Sequence, residues 1–159
     1  MKIQRRARVL SPVALLALGA VVAAAPLVAQ NANRGAQQIK FRQSAYTILG
    51  AQMGIMGAMA SGKAPYDAKA FQTAADRAAV LSSIAAESFP AGSDTGAPTK
   101  AKPEIWAQQA DFQKLMKDLT DRSAALAQAA RSNNIDTIKP AVGALGGSCK
   151  ACHDKYKLD

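Results

Sequence analysis

Aromatic residues are scarce, at only 5% of the 159 residues, while alanine is abundant throughout. A β-sandwich wants Val, Ile, Thr and aromatics on its pleated faces, so this composition argues against an all-β fold and for packed helices. Acid is missing from residues 1–29, where Lys2, Arg5, Arg6 and Arg8 supply four of the 20 cations. Part of the formal charge of +9 therefore sits at the N-terminus. The rest of the chain is mildly basic and lacks the concentrated stripe expected of a nucleic-acid binder. A second apolar run of bilayer-spanning length is also lacking, so no membrane association is expected beyond the first run. Histidine occurs once and cysteine twice. What is plentiful is apolar content, 49%, enough for one domain of this length.

The N-terminus reads as an address. A basic stretch to Arg8 precedes the apolar run Val9–Leu10 and Pro12–Val28, and polarity returns at Gln30-Asn31-Ala32-Asn33-Arg34. This order of charged, apolar and small-residue regions is that of a secretory signal peptide. An uncleaved anchor is the alternative, because the stretch approaches the ~18 to 20 residues that span a bilayer. Pro26 interrupts the stretch and Ala29 offers a small residue before the polar segment, which favours cleavage. The expectation is a leader over 1–29 and an exported, periplasmic domain over 30–159.

Four helical stretches follow. Ile39, Tyr46, Met53 and Ala60 recur every seven residues, with Leu49 and Met56 between them, and draw one buried seam. Gly50, Gly54 and Gly57 each cost this helix ~1 kcal/mol of propensity against alanine, so something approaches it closely. Ser61-Gly62-Lys63-Ala64-Pro65 ends the stretch, and Asp67 can cap a second helix to about residue 88 with Phe71, Ala74, Ala78, Leu81 and Ala85 inside. Residues 89–103 hold three prolines and two glycines, a long crossover loop. Ile105, Phe112, Leu119 and Leu126 then keep a strict seven-residue interval, the clearest register in the chain. Ser132-Asn133-Asn134 breaks it. Asp136 can cap a last helix carrying Ile138, Val142, Leu145, Cys149, Cys152 and Tyr156, with Pro140 in its first turn. The fold class is all-α, an antiparallel four-helix bundle.

One motif carries chemistry. Cys149-Lys150-Ala151-Cys152-His153 gathers both cysteines and the sole histidine into five residues. On a helix, positions i, i+3 and i+4 share a face, so two thiols and an imidazole point the same way. C-x-x-C-H is the signature of c-type haem attachment, with thioether bonds to the two cysteines and the histidine on the iron. A structural disulfide, a thioredoxin-like redox pair and a zinc site are the alternatives. Structural zinc wants about four N or S ligands and finds three here. A redox C-x-x-C opens a helix after a strand, whereas this one lies near the end of the last helix. One covalent haem c, held through Cys149 and Cys152 with His153 as iron ligand, is therefore expected. Six residues follow His153, too few for a downstream sixth ligand. The candidates are Met53, Met56, Met59 and Met116, with Tyr46 a remote one. Methionines at helical spacing are more often core, so an open iron site leads, and a low-spin electron-transfer cytochrome with a Met ligand is the alternative.

The chain resembles the cytochrome c′ family over nearly all of 34–157. The segments that carry the resemblance are Arg42-Gln43-Ser44-Ala45-Tyr46-Thr47, Ala64-Pro65-Tyr66-Asp67, Lys102-Pro103-Glu104-Ile105-Trp106 and Gly147-Ser148-Cys149-Lys150-Ala151-Cys152-His153-Asp154. The resemblance implies a five-coordinate iron that binds nitric oxide and carbon monoxide, disfavours oxygen, and can carry one electron. It puts Tyr46 over the vacant face, where low-spin relatives place a methionine. Arg42 matches an arginine associated with the haem propionates; the alternative is a solvated surface charge. Lys157 stands where the family commonly has arginine near the proximal face, keeping a cation but losing the planar fork. Leu49 and Met53 on the first seam and Trp106 in the third segment complete the candidate contacts. The resemblance further implies an antiparallel homodimer and allows for a redox partner protein. An enzyme is not expected, since no distal His, Arg or carboxylate is visible to assist bond cleavage.

Overall fold

Helices form every regular element among the residues described by the computed structural model, 19–159: α1 (Gly19–Ala60), α2 (Ala68–Ala86), α3 (Glu104–Ala107), α4 (Gln109–Ala130) and α5 (Ile135–Tyr156). The expected leader falls mainly on residues 1–18, which lie outside the described residues. No helix among the described residues is long and apolar enough to cross a membrane.

Local chemistry sets the helix ends. Gly62 takes a positive φ of 74° just past α1, the left-handed conformation that closes a helix at little cost to glycine. The Asp67 carboxylate accepts the Ala70 N–H at 2.9 Å and starts α2, as its position predicts. Asn133 enters the left-handed region at φ 52° and ends the next long helix. Asn134, rather than Asp136, caps α5, its side chain accepting the Asp136 N–H at 3.0 Å. The earlier start moves Pro140 into the second turn, so the helix gives up the bond that an N–H at 140 would make to the Asp136 carbonyl.

The third stretch is two helices. Gln108, at φ −118° and ψ 43°, leaves helical geometry and separates α3 from α4. The apolar interval survives the break, and Ile105, Phe112, Leu119 and Leu126 are all buried. Phe71, Ala74 and Ala78 of α2, Leu49 and Met56 of α1, and Ile138, Leu145 and Tyr156 of α5 join them in one core. On α2 the deeply buried position is Ser82, and Leu81 is only partly covered. The Ser82 hydroxyl donates to the Ala79 carbonyl at 2.9 Å, which satisfies it within its own helix.

Side-chain ties fix the directions. Gln72 at the start of α2 donates to the Ala127 carbonyl near the end of α4 at 3.3 Å. Lys155 at the end of α5 donates to Asp111 at the start of α4. Arg42 in α1 donates to the Ser88 carbonyl just after α2. Each long helix thus runs antiparallel to its chain neighbour, the up-down-up-down order of a four-helix bundle. The 87–103 loop therefore begins and ends at the same end of the bundle, and caps it rather than crossing its length.

Candidate functional site

The last turns of α5 carry Cys149, Cys152 and His153. Both cysteines are free and half-buried, so no disulfide joins them. Burial pushes both thiols up, Cys152 to about 11 with Cys149 adding to the effect. Raised, protonated thiols are the reverse of the depressed thiolate that a redox C-x-x-C uses. His153 is moved the other way: partial burial, with the Lys157 cation second, holds its ring below the usual histidine value. The neutral imidazole, the form that ligates a metal, prevails at neutral pH. No group of three or more His, Cys, Asp or Glu side chains among the described residues could hold a metal ion directly.

These three residues line a cavity of about 730 Å³, within the ~300 to 1,000 Å³ usual for cofactor sites. Arg42, Tyr46, Leu49 and Met53 of α1 form a second wall, and Phe112 and Met116 of α4 a third. Tyr46 and Met53 are only partly buried although they lie on the α1 seam, because they face this space. Leu49 is covered by the core at 4% exposure. A mostly apolar cleft with two neutral thiols and one imidazole along one edge fits a large flat apolar group fastened by two thioether links and one axial nitrogen. The residues present therefore suit haem.

Tyr46 donates its hydroxyl to the Met116 sulfur at 3.5 Å and meets Phe89 edge-on, with ring centroids 6.1 Å apart. Burial drives its phenol well above the usual tyrosine value, so the ring stays uncharged. Of the methionines considered as ligands, Met53 and Met116 reach the cavity, whereas Met56 is enclosed in the core and Met59 packs against it.

Arg42 is 4% exposed, which removes the surface-charge alternative. Its Nη1 donates to the Ser88 carbonyl at 3.2 Å and to Ser93 Oγ at 3.3 Å, and its Nη2 to the Ser93 carbonyl at 3.1 Å and Thr99 Oγ1 at 3.2 Å. The guanidinium also lies 4.6 Å from the centroid of Phe89, a cation–π distance. Lys157 borders the cavity, one turn after His153, whose carbonyl accepts its N–H at 3.1 Å. Trp106 stands one layer back: its ring packs on Phe89 at 6.2 Å and its indole donates to the Pro90 carbonyl at 3.0 Å, without lining the cavity.

Phe89, Phe112 and Thr99 line the cavity and were not anticipated as site residues. Phe112 shares the heptad of the core, and periodicity does not distinguish a residue facing core from one facing a cofactor. Phe89 and Thr99 lie in the loop, where no period exists to place them.

The model of the family described as Cytochrome C' matches residues 37–157. A cytochrome c' of Rubrivivax gelatinosus is 41% identical over 123 residues, 75% of this chain and 92% of that protein. The solved structure of cytochrome c prime from Shewanella frigidimarina superposes with a TM-score of 0.75 at 46% identity, covering 79% of this chain and 97% of that one. A nitric oxide complex of a mutant cytochrome c prime from Alcaligenes xylosoxidans gives 0.73 at 33% identity, covering 79% and 97%. With the match spanning the bundle and running through the C-x-x-C-H turn, this chain belongs to the cytochrome c′ family, and its cofactor is a covalently attached haem c.

Proposed function

We propose that Cys149 and Cys152 carry the thioether links, that His153 is the sole protein ligand of the iron, and that the face toward α1 takes up nitric oxide or carbon monoxide. One observation carries this reading: the α1 wall offers no histidine, and its two hydroxyls are both engaged, that of an uncharged Tyr46 with the Met116 sulfur and that of Thr47 with the Gln43 carbonyl. Haem iron, when bound, supplies the centre that takes a neutral diatomic and exchanges one electron. The chain's own residues exclude water with an apolar wall and set how far an incoming molecule can enter. Arg42 spends four N–H donors on the loop and keeps Nε–H, one of its five, for an anionic edge of the cofactor. The nitric oxide complex of the Alcaligenes protein supports the choice of ligand. No carboxylate lines the cavity, which supports binding and electron carriage over catalytic turnover.

Met53 gives the second reading, since it lies half-buried on the same wall and its thioether suits a low-spin iron. The visible absorption spectrum separates the two. A high-spin spectrum with ready carbon monoxide uptake is expected, whereas a low-spin spectrum with sluggish uptake overturns the open-site reading in favour of Met53.

The leader-like composition of residues 1–29 supports a periplasmic location. A homodimer is supported by the exposed stripe Phe41, Ile48 and Ile55, seven residues apart on α1, and by the exposed Val80 and Ile84 on α2. Ile48→Lys should give a monomer in sedimentation, and a wild-type chain that already sediments as a monomer overturns the proposal.

A further inference from the structure

Arg42 is a buried cation whose hydrogen bonds go to carbonyls and hydroxyls of one loop rather than to a carboxylate. Burying a charge is costly unless it is fully hydrogen-bonded, so its four bonds hold the loop firmly in place. The loop is also pressed onto α1 elsewhere. A Cβ at Gly35 would run into the carbonyl oxygens of Thr95 and Gly92, and Gln43 donates to the Pro98 carbonyl at 3.0 Å.

Thr99 carries the restraint further. Its hydroxyl oxygen accepts from Arg42 Nη2 and also from the Ala101 N–H, both at 3.2 Å. Ala101 in turn forms an antiparallel bridge with Lys157. On either side of it Lys102 donates to the Tyr156 carbonyl at 2.9 Å and Leu158 donates to the Lys100 carbonyl at 2.8 Å. These bonds join α1, which bears Tyr46, to the segment just after His153.

We propose that Arg42 is a positioning residue for the proximal side of the site: acting through Thr99, it fixes the Ala101–Lys157 bridge and so the place of the Lys157 cation beside His153. The distal helix and the proximal cation are then parts of one rigid frame, closed by the loop. The proximal role of this frame rests on the proposed function, in which His153 holds the iron; the bridge itself does not.

The test uses the carbon monoxide complex of the ferrous holoprotein and three variants: Thr99→Val, which keeps shape and loses the hydroxyl, Thr99→Ser, which restores it, and Arg42→Gln. Amide exchange is followed at Lys102 and Leu158. In Thr99→Val and Arg42→Gln the two amides should exchange at least about tenfold faster, the change for ~1.4 kcal/mol of lost local stability. Thr99→Ser should retain wild-type protection, and amides of the bundle core such as Leu126 should not change. Unchanged protection in Thr99→Val overturns the proposal, and does so even where Arg42→Gln fails to fold. The iron–histidine stretching band of the ferrous protein gives the second readout. It should shift in Thr99→Val and return in Thr99→Ser; a band that stays fixed while the amides deprotect overturns the proximal role and leaves His153 as ligand intact. Haem that fails to remain attached, or a band absent from wild type, contradicts the proposed function instead.

Discussion

At the residue scale, Tyr46 joins the α1 wall of the cavity to the rest of the bundle. Its ring sits edge-on to Phe89 and its hydroxyl is held by a sulfur, a weak acceptor. A ligand that needs the ring to move must break that contact and no stronger one. Tyr46→Ala should therefore speed carbon monoxide association by about tenfold or more, the effect of removing ~1.4 kcal/mol of barrier. Tyr46→Phe keeps the ring and loses only the contact to Met116, so a small acceleration is expected in stopped-flow mixing. If all variants associate at the parental rate, the barrier lies at Leu49 or Met53. Tyr46 was legible in the sequence because seam and family position agree on it. Met116 was legible only as a methionine on a helix. Its role as acceptor depends on a contact across 70 positions of chain, which no local pattern contains. Arg42 was legible as a position but not as a buried group, since its acceptors belong to a loop without periodicity.

At the element scale, the interval Ile105, Phe112, Leu119 and Leu126 passes through the break at Gln108 without losing register. The apolar spacing therefore gave the buried face correctly and the helix continuity wrongly. Seven-residue spacing reports which side faces the core; a single non-helical residue leaves that side unchanged. The same limit explains Asn134: both Asn134 and Asp136 have the chemistry of a cap, and geometry chooses the earlier. Asp111 ties α4 to α5 and gives a pH prediction. Hydrogen bonds from Lys155 first and Tyr156 second hold its carboxyl below the usual carboxylate value. A group lowered in the folded state contributes stability that is fully present above its unfolded value, near 3.9, and is lost as pH falls through the lower folded value. Asp111→Asn should thus melt below wild type at pH 7. The two melting points should converge as the pH falls through that lowered value, and a gap of constant size across the acid range contradicts the assignment.

At the scale of the whole molecule, the four-helix plan was legible because each long stretch carries its own apolar stripe. The course of the loop was not legible. Its prolines and glycines announce irregular backbone, while its return to the same end of the bundle depends on Arg42 and on pairing with the C-terminal residues. That plan leaves a bundle whose helices border an open cleft of about 730 Å³. Without a cofactor the apolar lining of this cleft is wetted rather than packed, a serious loss for a domain stable by only roughly 5 to 15 kcal/mol. Much of the remaining core is alanine, including Ala74, Ala75, Ala78, Ala127 and Ala130, and alanines have no side chain to swing into the gap. The cofactor is thus a structural part of the core, and its covalent attachment makes the gain permanent rather than dependent on free ligand. Cys149→Ser combined with Cys152→Ser should give a chain with helical far-ultraviolet dichroism but a broad, weakly cooperative melt and exposed apolar surface that binds a fluorescent dye. A double variant that melts sharply near the holoprotein's midpoint shows instead that α1 and α5 close on each other without the cofactor. The Tyr46–Met116 contact then becomes part of a self-sufficient core, and its loss in Tyr46→Phe should lower the melting point of that chain as well.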